Sequence, residues 1–301
     1  MITSGPAVEY HLNSLGITWY LDYGSDPRTA PPGKKKVAFI HHAPTSPRIP
    51  TATLTQYATG APGSYWYIWG EPNRYSNYSP VDYVAELDYY VDAIKGADPT
   101  ARIVGPSVLN WNFTCWGCAP FTQGSTWMAQ FLTAYKDSHL GALPPIDVYS
   151  IDAYPLTWTQ VPMTNWQVLR DDLIAYRTWM NANGLSGKPI WVTEVASHWA
   201  YSSWKYDFAK GHLTIGTGLD WEDDYLWAAM ETYMYNLFDW LRDNGEARNI
   251  EKWFLFVAYT NIQEQVKTDG YAGIYLFEHG GVGAPLNRLG QLYREMTLGI
   301  R

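Results

Sequence analysis

The sequence has few cysteines, few basic residues and no long hydrophobic run, and each shortage excludes a class of function. Only two of the 301 residues are cysteine, Cys115 and Cys118. Two cysteines cannot hold a structural zinc ion without histidines at a suitable spacing, and none lies nearby. Their C-x-x-C spacing would suit a redox site only in a thioredoxin-like βαβ context, which the flanking sequence does not show. A local loop disulfide and two free thiols both stay open, and so does the compartment.

The charge balance is acidic and leaves no basic surface to predict. Lysine and arginine number 21 against 29 aspartate and glutamate residues, a formal net charge of −8. The one basic run, Lys34 to Lys36, is short, so nothing favours binding to nucleic acid or to an anionic membrane. No segment approaches the roughly 20 apolar residues of a membrane span. We expect a monomer with neither a nucleic-acid nor a membrane partner.

The first residues, Met1 to Pro6, lack the charged and apolar segments of a secretory signal. The protein is then either intracellular or separated from its signal. Between these two, we favour a secreted protein.

Aromatic residues, by contrast, are abundant. The chain contains 16 tryptophans and 24 tyrosines within a hydrophobic content of 47%, which predicts a globular fold. Packing in a core accounts for many of these rings. So many indoles also favour a groove in which aromatic faces stack on sugar rings, although this is a hint from composition alone.

Short apolar runs alternate with amphipathic helices, the pattern of βαβ units. We predict one α/β domain over residues 1–301, a (β/α)8 TIM barrel with long loops at about 106–125 and 195–222. The predicted strands are Gly16–Leu21, Lys36–His41, Tyr65–Trp69, Arg102–Gly105, Asp147–Ile151, Pro189–Thr193 and Lys252–Val257. The predicted helices are 80–95, 126–138, 165–183 and 223–244. An eighth strand is expected at Tyr271–Phe277, which could equally be a hairpin, or between Ile40 and Tyr65.

Two of the predicted strands end in a glutamate. The aromatic run Tyr65–Trp69 leads into Gly70 and Glu71, and Pro189–Thr193 leads directly into Glu194. A lone glutamate is more often a surface or ion-paired residue. In a TIM barrel, however, the carboxyl ends of all strands meet at one face. Two carboxylates there fit the hydrolysis of a glycosidic bond, which needs a proton donor and a nucleophile or base.

The same two segments resemble the clan A retaining glycoside hydrolases. Trp69-Gly70-Glu71-Pro72-Asn73 is similar to that clan's W-N-E-P-N motif, and Ile190–Glu194 is similar to its W-x-T-E strand. The resemblance implies that Glu71 is the acid/base, that Glu194 is the nucleophile, and that the substrate is a carbohydrate. It would also make Tyr65–Trp69 the fourth strand of the barrel. No cofactor and no metal is expected.

Weaker similarities to the clan add two tyrosines. Asp147–Tyr154 resembles the sixth strand, whose H-x-Y ending supplies a tyrosine bonded to the nucleophile. Tyr154 matches that tyrosine, Asp152 stands where histidine is usual, and the resemblance makes both of them substrate-binding candidates. Trp253–Tyr259 resembles the eighth strand, which makes Tyr259 a sugar-stacking candidate.

The main departure from the clan is Gly70. The clan has asparagine there, whose amide binds the sugar 2-hydroxyl, and glycine cannot make this contact. Hydrogen bonds to that hydroxyl stabilise the transition state by several kcal/mol. Asn73, Asn110 and His42 are possible substitutes, or else the substrate lacks the need or the activity is weak.

Further binding candidates follow from position alone. His41 and His42 point to opposite sides of a strand, so at most one faces the barrel mouth. His198 and Trp199, just after Glu194, line the predicted cleft or pack in an ordinary loop. Trp111 is a stacking candidate, and Asp22 binds a hydroxyl or caps a turn.

Three other functions compete with the hydrolase. Gly70 favours a weak or inactive barrel that binds glycans. A metal-dependent hydrolase would use strand-end carboxylates, but the seven histidines show no H-x-H or H-E-x-x-H spacing. A nucleotide-dependent enzyme would need a glycine-rich phosphate loop, which is absent from the sequence.

Overall fold

The structure is a computed structural model, and it describes residues 6–40, 47–75, 78–112, 121–156, 163–197, 204–207, 212–215, 224–258, 275–278 and 281–300. Its strands are β1 Trp19–Leu21, β2 Lys35–Ile40, β3 Tyr65–Ile68, β4 Arg102–Leu109, β5 Val148–Ala153, β6 Ile190–Val195, β7 Trp204–Asp207, β8 His212–Ile215 and β9 Ile250–Leu255. Its helices are α1 Pro6–Ser14, α2 Thr51–Gly60, α3 Pro80–Ala97, α4 Gly124–Ser138, α5 Trp166–Ala182, α6 Asp224–Asn244 and α7 Arg288–Thr297.

Seven of the strands form one parallel sheet in the order β1-β2-β3-β4-β5-β6-β9. The first and last strands approach each other, since the Lys252 ammonium of β9 lies 4.5 Å from the centre of the Trp19 ring of β1. The sheet is therefore a nearly closed barrel with helices outside it. This confirms the predicted TIM-type α/β class, and each of the seven predicted strands is present.

The prediction and the structure differ at the eighth strand. Residues 47–64 contain α2 and no strand, because their apolar positions follow a helical spacing that buries Leu54 and Ala58. Of Tyr271–Phe277, only the last three residues are described, and Phe277 makes an isolated antiparallel bridge with Leu286. Within the described sheet, β3 is the third strand rather than the fourth.

The predicted helices are confirmed with small changes at their ends. A capping box between Ser79 and Asp82, with Pro80 at the first helical position, starts α3. Gly184, directly after the predicted end of α5 at residue 183, has φ +79°, the left-handed conformation that terminates many helices. Helices α1, α2 and α7 were not predicted.

The first long loop is shorter than predicted, and the second contains strands that were not predicted. Strand β4 continues to Leu109, so the first loop begins after it. The second contains an antiparallel pair of strands, β7 and β8. Among the described helices, none combines the length and apolar character needed to cross a bilayer.

The barrel interior changes character along its axis. Towards the amino ends of the strands the interior is apolar and aromatic. The Tyr65 ring stacks on the Trp191 ring with their centres 4.8 Å apart, and the Phe39 ring stacks on the Tyr67 ring at 4.7 Å. Towards the carboxyl ends of the strands, the inward side chains become polar, with Ser107, Asp152 and Thr193 fully buried. This polar layer lies directly beneath the two predicted glutamates.

Candidate active site

Glu71 is brought to the barrel mouth by an abrupt turn at the end of β3. Trp69 and Glu71 both have left-handed backbone conformations, with φ of 55° and 54°. Such angles cost free energy for residues other than glycine and recur at functional sites. The turn is fixed to the next strand, because the Glu71 N–H donates to the Ser107 carbonyl at 2.7 Å.

Glu194 reaches the same face through an irregularity in β6. The pairing with β5 runs from Ile151–Val192 to Asp152–Glu194 and skips Thr193. An extra residue of this kind re-aims the side chains that follow it. The Thr193 hydroxyl therefore lies inside the barrel as part of the polar layer, and the Glu194 side chain lies above that layer.

The structure brings three carboxyl groups together. One oxygen each from Glu71, Asp152 and Glu194 lie within 4.8 Å of one another. The two glutamates are half-buried, whereas Asp152 is 1% exposed and lies deeper. Such a cluster could hold a cation, although no histidine or cysteine among the described residues joins it.

Tyr154 contacts Glu194 as the resemblance to clan A implies. Its hydroxyl donates to Oε2 of Glu194 at 2.6 Å. Burial raises the pKa of Glu194 to about 7, and the charge of Glu71 adds to the rise, while the bond from Tyr154 opposes it. Glu194 therefore titrates in the range where a catalytic carboxyl changes its role.

Asp152 is the centre of a hydroxyl network. Its Oδ1 accepts from Thr193 at 2.6 Å and from Ser107 at 2.9 Å, and its Oδ2 accepts from Tyr67 at 3.1 Å. The Ser107 and Thr193 hydroxyl oxygens also lie 2.7 Å apart, so either hydroxyl can donate to the other instead of to Asp152. Four neighbouring strands, β3 to β6, are thus tied together beneath the glutamates.

The network explains the glycine that departs from the clan motif. A Cβ added at Gly70 would lie 2.7 Å from the Tyr67 hydroxyl and 3.5 Å from Oδ2 of Asp152. Cβ atoms in proteins do not approach non-bonded atoms as closely as 2.7 Å. An asparagine at this position cannot coexist with the observed position of Tyr67.

Arg74 is a site residue that sequence reasoning missed. It follows Glu71 by three residues in a short 3-10 helix, Pro72–Arg74, and forms an ion pair with the Glu71 carboxylate. Its side chain is 49% exposed, so the pair faces the open side of the site. An arginine three residues after the strand-end glutamate is the only sequence signal that could have indicated it.

Two of the predicted substitutes for the missing asparagine hold backbone at the mouth of the barrel, although the Asn110 amide nitrogen is buried and has no hydrogen-bond partner among the described residues. The Asn73 amide donates to the carbonyls of Leu109 and Thr122 at 3.1 and 2.8 Å, and its oxygen accepts the Leu109 N–H. The Asn110 oxygen accepts the Tyr154 N–H at 2.8 Å. Both therefore fix backbone at the mouth of the barrel.

Trp111 and Asp22 also have structural surroundings. Trp111 is 3% exposed, and its ring stacks on Tyr176 at 4.6 Å, so packing against α5 occupies it. Asp22 is buried and forms an ion pair with Lys36 at 2.8 Å, and it accepts the Gly24 N–H in a turn. The structure does not bring either residue to the glutamates.

The remaining predicted residues lie outside the described part of the chain. They are His41, His42, Cys115, Cys118, His198, Trp199 and Tyr259. Their assignments stay predictions.

A cavity of about 440 Å³ opens beside Glu194. It follows the gap between β1 and β9, and its aromatic lining includes Trp19, Tyr20, Trp253 and Phe256.

Comparison with protein families identifies one match. Residues 5–293 match the family described as "Glycosyl hydrolase catalytic core". No curated protein matches the sequence.

Solved structures with the same fold include three β-1,3-glucanases of family GH128. An endo-β-1,3-glucanase from Pseudomonas viridiflava has a TM-score of 0.60 and 20% identity, with 97% of this chain and 94% of that chain covered. A curdlan-specific exo-β-1,3-glucanase from Blastomyces gilchristii has a TM-score of 0.58 and 16% identity, covering 98% and 96%. An endo-β-1,3-glucanase from Amycolatopsis mediterranei, in complex with laminaritriose, has a TM-score of 0.51 and 17% identity, covering 96% and 94%. At these identities the likeness shows the fold alone.

Proposed function

The chain belongs to the glycosyl hydrolase catalytic core family, and from this we propose that it hydrolyses β-glycosidic bonds in a polysaccharide by a retaining mechanism. Glu71 acts as the acid/base and Glu194 as the nucleophile. A β-1,3-glucan is the first substrate to test, because structural neighbours on the same fold are β-1,3-glucanases.

One observation carries the retaining mechanism. Carboxyl oxygens of Glu71 and Glu194 lie within 4.8 Å of each other. Retaining glycosidases place their two carboxyl groups about 5–5.5 Å apart, whereas inverting enzymes leave about 6.5–9.5 Å for a water molecule between them. The separation of these oxygens is closer to the retaining range than to the inverting one, and it supports the retaining mechanism.

In the first step, the Glu194 carboxylate attacks the anomeric carbon while Glu71 gives its proton to the departing glycosidic oxygen. The carbon–oxygen bond breaks, and the sugar becomes an ester of Glu194. In the second step, Glu71 takes a proton from water, the water oxygen attacks the same carbon, and Glu194 leaves as a carboxylate. The two inversions together retain the configuration.

Two contacts fit these roles. The Tyr154 hydroxyl donates to Glu194, which stabilises a carboxylate both before attack and on departure. Arg74 approaches Glu71 from the open side, where a bound sugar would also enter. For Glu71 to act as an acid it must take up a proton, and the arriving substrate must then separate it from Arg74.

Purified protein incubated with laminarin should release reducing ends, and Glu194→Gln and Glu71→Gln should each abolish the release while binding persists. Mannan and xylan serve as comparison substrates. Laminarin binding without release by the unaltered protein would favour the alternative, a glycan-binding barrel, which the glycine at position 70 motivates. Undiminished release by both variants would exclude these glutamates.

A further inference from the structure

Asp152 lies below both glutamates, and the mechanism above gives it no task. Its partners are three hydroxyl groups, those of Tyr67, Ser107 and Thr193. A carboxylate buried in this way usually pairs with a cation, because desolvation otherwise makes the charge very costly. Among the described residues, none of its hydrogen-bond partners is cationic.

The charged and titratable groups that face this site can be named element by element. Tyr67 comes from β3, and Glu71 and Arg74 from the turn and 3-10 helix that follow it; Tyr154 follows β5, and Glu194 comes from β6. Arg74 is bonded to Glu71 and is half exposed. Among these groups from the described residues, Arg74 is the one cation beside three carboxyl groups, and its bond is to Glu71 rather than to Asp152.

Like charges at such distances cannot all persist. Burial is the largest of the effects that raise the pKa of Asp152 well above its ordinary value, followed by the charges of Glu194 and Glu71; the bonds from Thr193 and Ser107 oppose the rise. Asp152 is also the most buried of the three carboxyl groups. It is therefore the member for which ionisation costs most.

We propose that Asp152 is a positioning residue that works as a neutral carboxylic acid, holding Tyr67 and Thr193 in place beneath Glu71 and Glu194 without adding a third negative charge. The inference rests on the proposed function, since it assigns Asp152 a part in the same reaction. As a neutral acid, Asp152 still accepts hydrogen bonds on Oδ1 from Thr193 and Ser107. Its own proton, on Oδ2, donates to the Tyr67 oxygen, which lies 3.1 Å away, and this reverses the direction in which Tyr67 donates to an ionised Asp152.

The neutral form has a consequence for Glu194. A second negative charge within 4.8 Å would oppose its ionisation and leave the nucleophile protonated at higher pH. With Asp152 neutral, the ionisation of Glu194 depends on burial, on Glu71 and on the bond from Tyr154.

Asp152→Asn tests the charge directly, because asparagine has nearly the same shape and can donate to Tyr67 as the protonated acid does. We expect kcat/KM on laminarin to fall by about threefold to tenfold from altered hydrogen-bond geometry. The midpoint of the acidic limb of the pH profile should move by less than about 0.3 pH unit. If Asp152 is ionised, removing its charge should lower that midpoint by roughly one pH unit or more, and such a shift overturns the proposal.

Asp147→Asn is the matched control, the same chemical change at the other end of the same strand. Its side chain bonds to Lys95 and Arg102, so it should leave both kcat/KM and the pH midpoint unchanged.

A second readout needs no turnover. In protein carrying carbon-13 at the aspartate carboxyls, the signal missing from Asp152→Asn belongs to Asp152. We expect its chemical shift to be that of a protonated carboxyl throughout the neutral range, and a carboxylate shift there overturns the proposal. A protonated signal from protein that hydrolyses no glycan would support this inference while counting against the proposed function.

Discussion

Two aspartates at opposite ends of β5 have opposite surroundings. Asp147, just before the strand, accepts from the Lys95 ammonium at 2.8 Å, from the Ile103 N–H at 2.9 Å and from Arg102 at 3.3 Å. Asp152, near its carboxyl end, accepts only from hydroxyl groups among its described partners. Burial disfavours the charged form of both. At Asp147, however, the bonds from Lys95 and Ile103 prevail and lower the pKa, whereas at Asp152 the pKa rises.

The contrast separates stability from function along one strand. At the amino end, opposite charges tie β5 to β4 and α3, which is a means of holding the barrel together. At the carboxyl end, like charges are gathered at a cost in stability, which is where TIM barrels have their active sites. Substitutions at the two ends should therefore have opposite effects.

The largest expected effect is the loss of activity in Glu194→Gln. The variant keeps the shape of the side chain but removes the proposed nucleophile, so kcat on laminarin should fall on the order of 10³-fold or more. Its free energy of unfolding at neutral pH should stay equal or rise, because a carboxyl near like charges is removed. A variant that is unfolded, or one with full activity, would contradict this account of the carboxyl end.

At the amino end, Asp147→Asn should do the reverse. We expect the free energy of unfolding, measured with urea at pH 7, to fall by about 2 to 3 kcal/mol, since a partly buried, charged hydrogen-bond partner is lost. Because folding lowers the pKa of Asp147, its stabilisation is present above the unfolded value of about 3.9 and is lost as the pH falls through the folded one. The difference between variant and parent should therefore shrink in acid, and a difference independent of pH would argue against the ion pairs.

Gly70→Asn tests whether the Tyr67–Asp152 contact occupies the place of the clan's asparagine. The new Cβ would lie 2.7 Å from the Tyr67 hydroxyl, so we expect a loss of about 1 to 3 kcal/mol in the free energy of unfolding. In a Tyr67→Phe background the nearest contacts are 3.5 Å away, and part of the loss should be recovered.

Gly187→Asn provides the control for that experiment. Gly187 is exposed, and a Cβ there would meet no atom within 4 Å. Its effect should stay within about 0.5 kcal/mol. Equal losses at positions 70 and 187 would mean that Tyr67 is not the obstacle.

We also expect a pH dependence with opposite signs for stability and activity. Burial and Glu71 raise the folded pKa of Glu194 from 4.5 to about 7. Between these values the folded state binds more protons than the unfolded state, so the contribution of Glu194 to stability declines as the pH rises. Activity should rise over the same range, because the nucleophile must be ionised. Urea titrations of the parent and of Glu194→Gln at several pH values check the trend in stability. The kcat/KM profile of the parent checks the trend in activity, and activity that falls through pH 7 would make Glu194 the acid instead.

Much of this fold could be predicted because parallel barrel strands are buried on both sides and read as continuous apolar runs. Tyr65–Trp69 and Pro189–Thr193 were found this way. Helix α2 was missed because it is rich in threonine and buries only Leu54 and Ala58. The end of β4 was missed because Gly105 and Pro106 read as a turn, whereas the strand continues past them with a shift in register.

Only some residues of the candidate site could be predicted from the sequence. Strand-end position identified Glu71 and Glu194, and the resemblance to clan A supplied Tyr154. The hydroxyl network around Asp152 depends on the register of four strands and on the extra residue at Thr193, which no local pattern specifies. For the same reason, the sequence could show that Gly70 departs from the motif but not that Tyr67 fills the space.

The most direct test of the central claim, that Glu71 and Glu194 form a retaining pair, is the configuration of the first product. Proton NMR during hydrolysis of a β-1,3-glucan, or of whichever β-glycan the protein cleaves, follows the anomeric signals before they equilibrate. The account predicts that the β-anomer appears first and the α-anomer grows in only by mutarotation. Initial appearance of the α-anomer would contradict it.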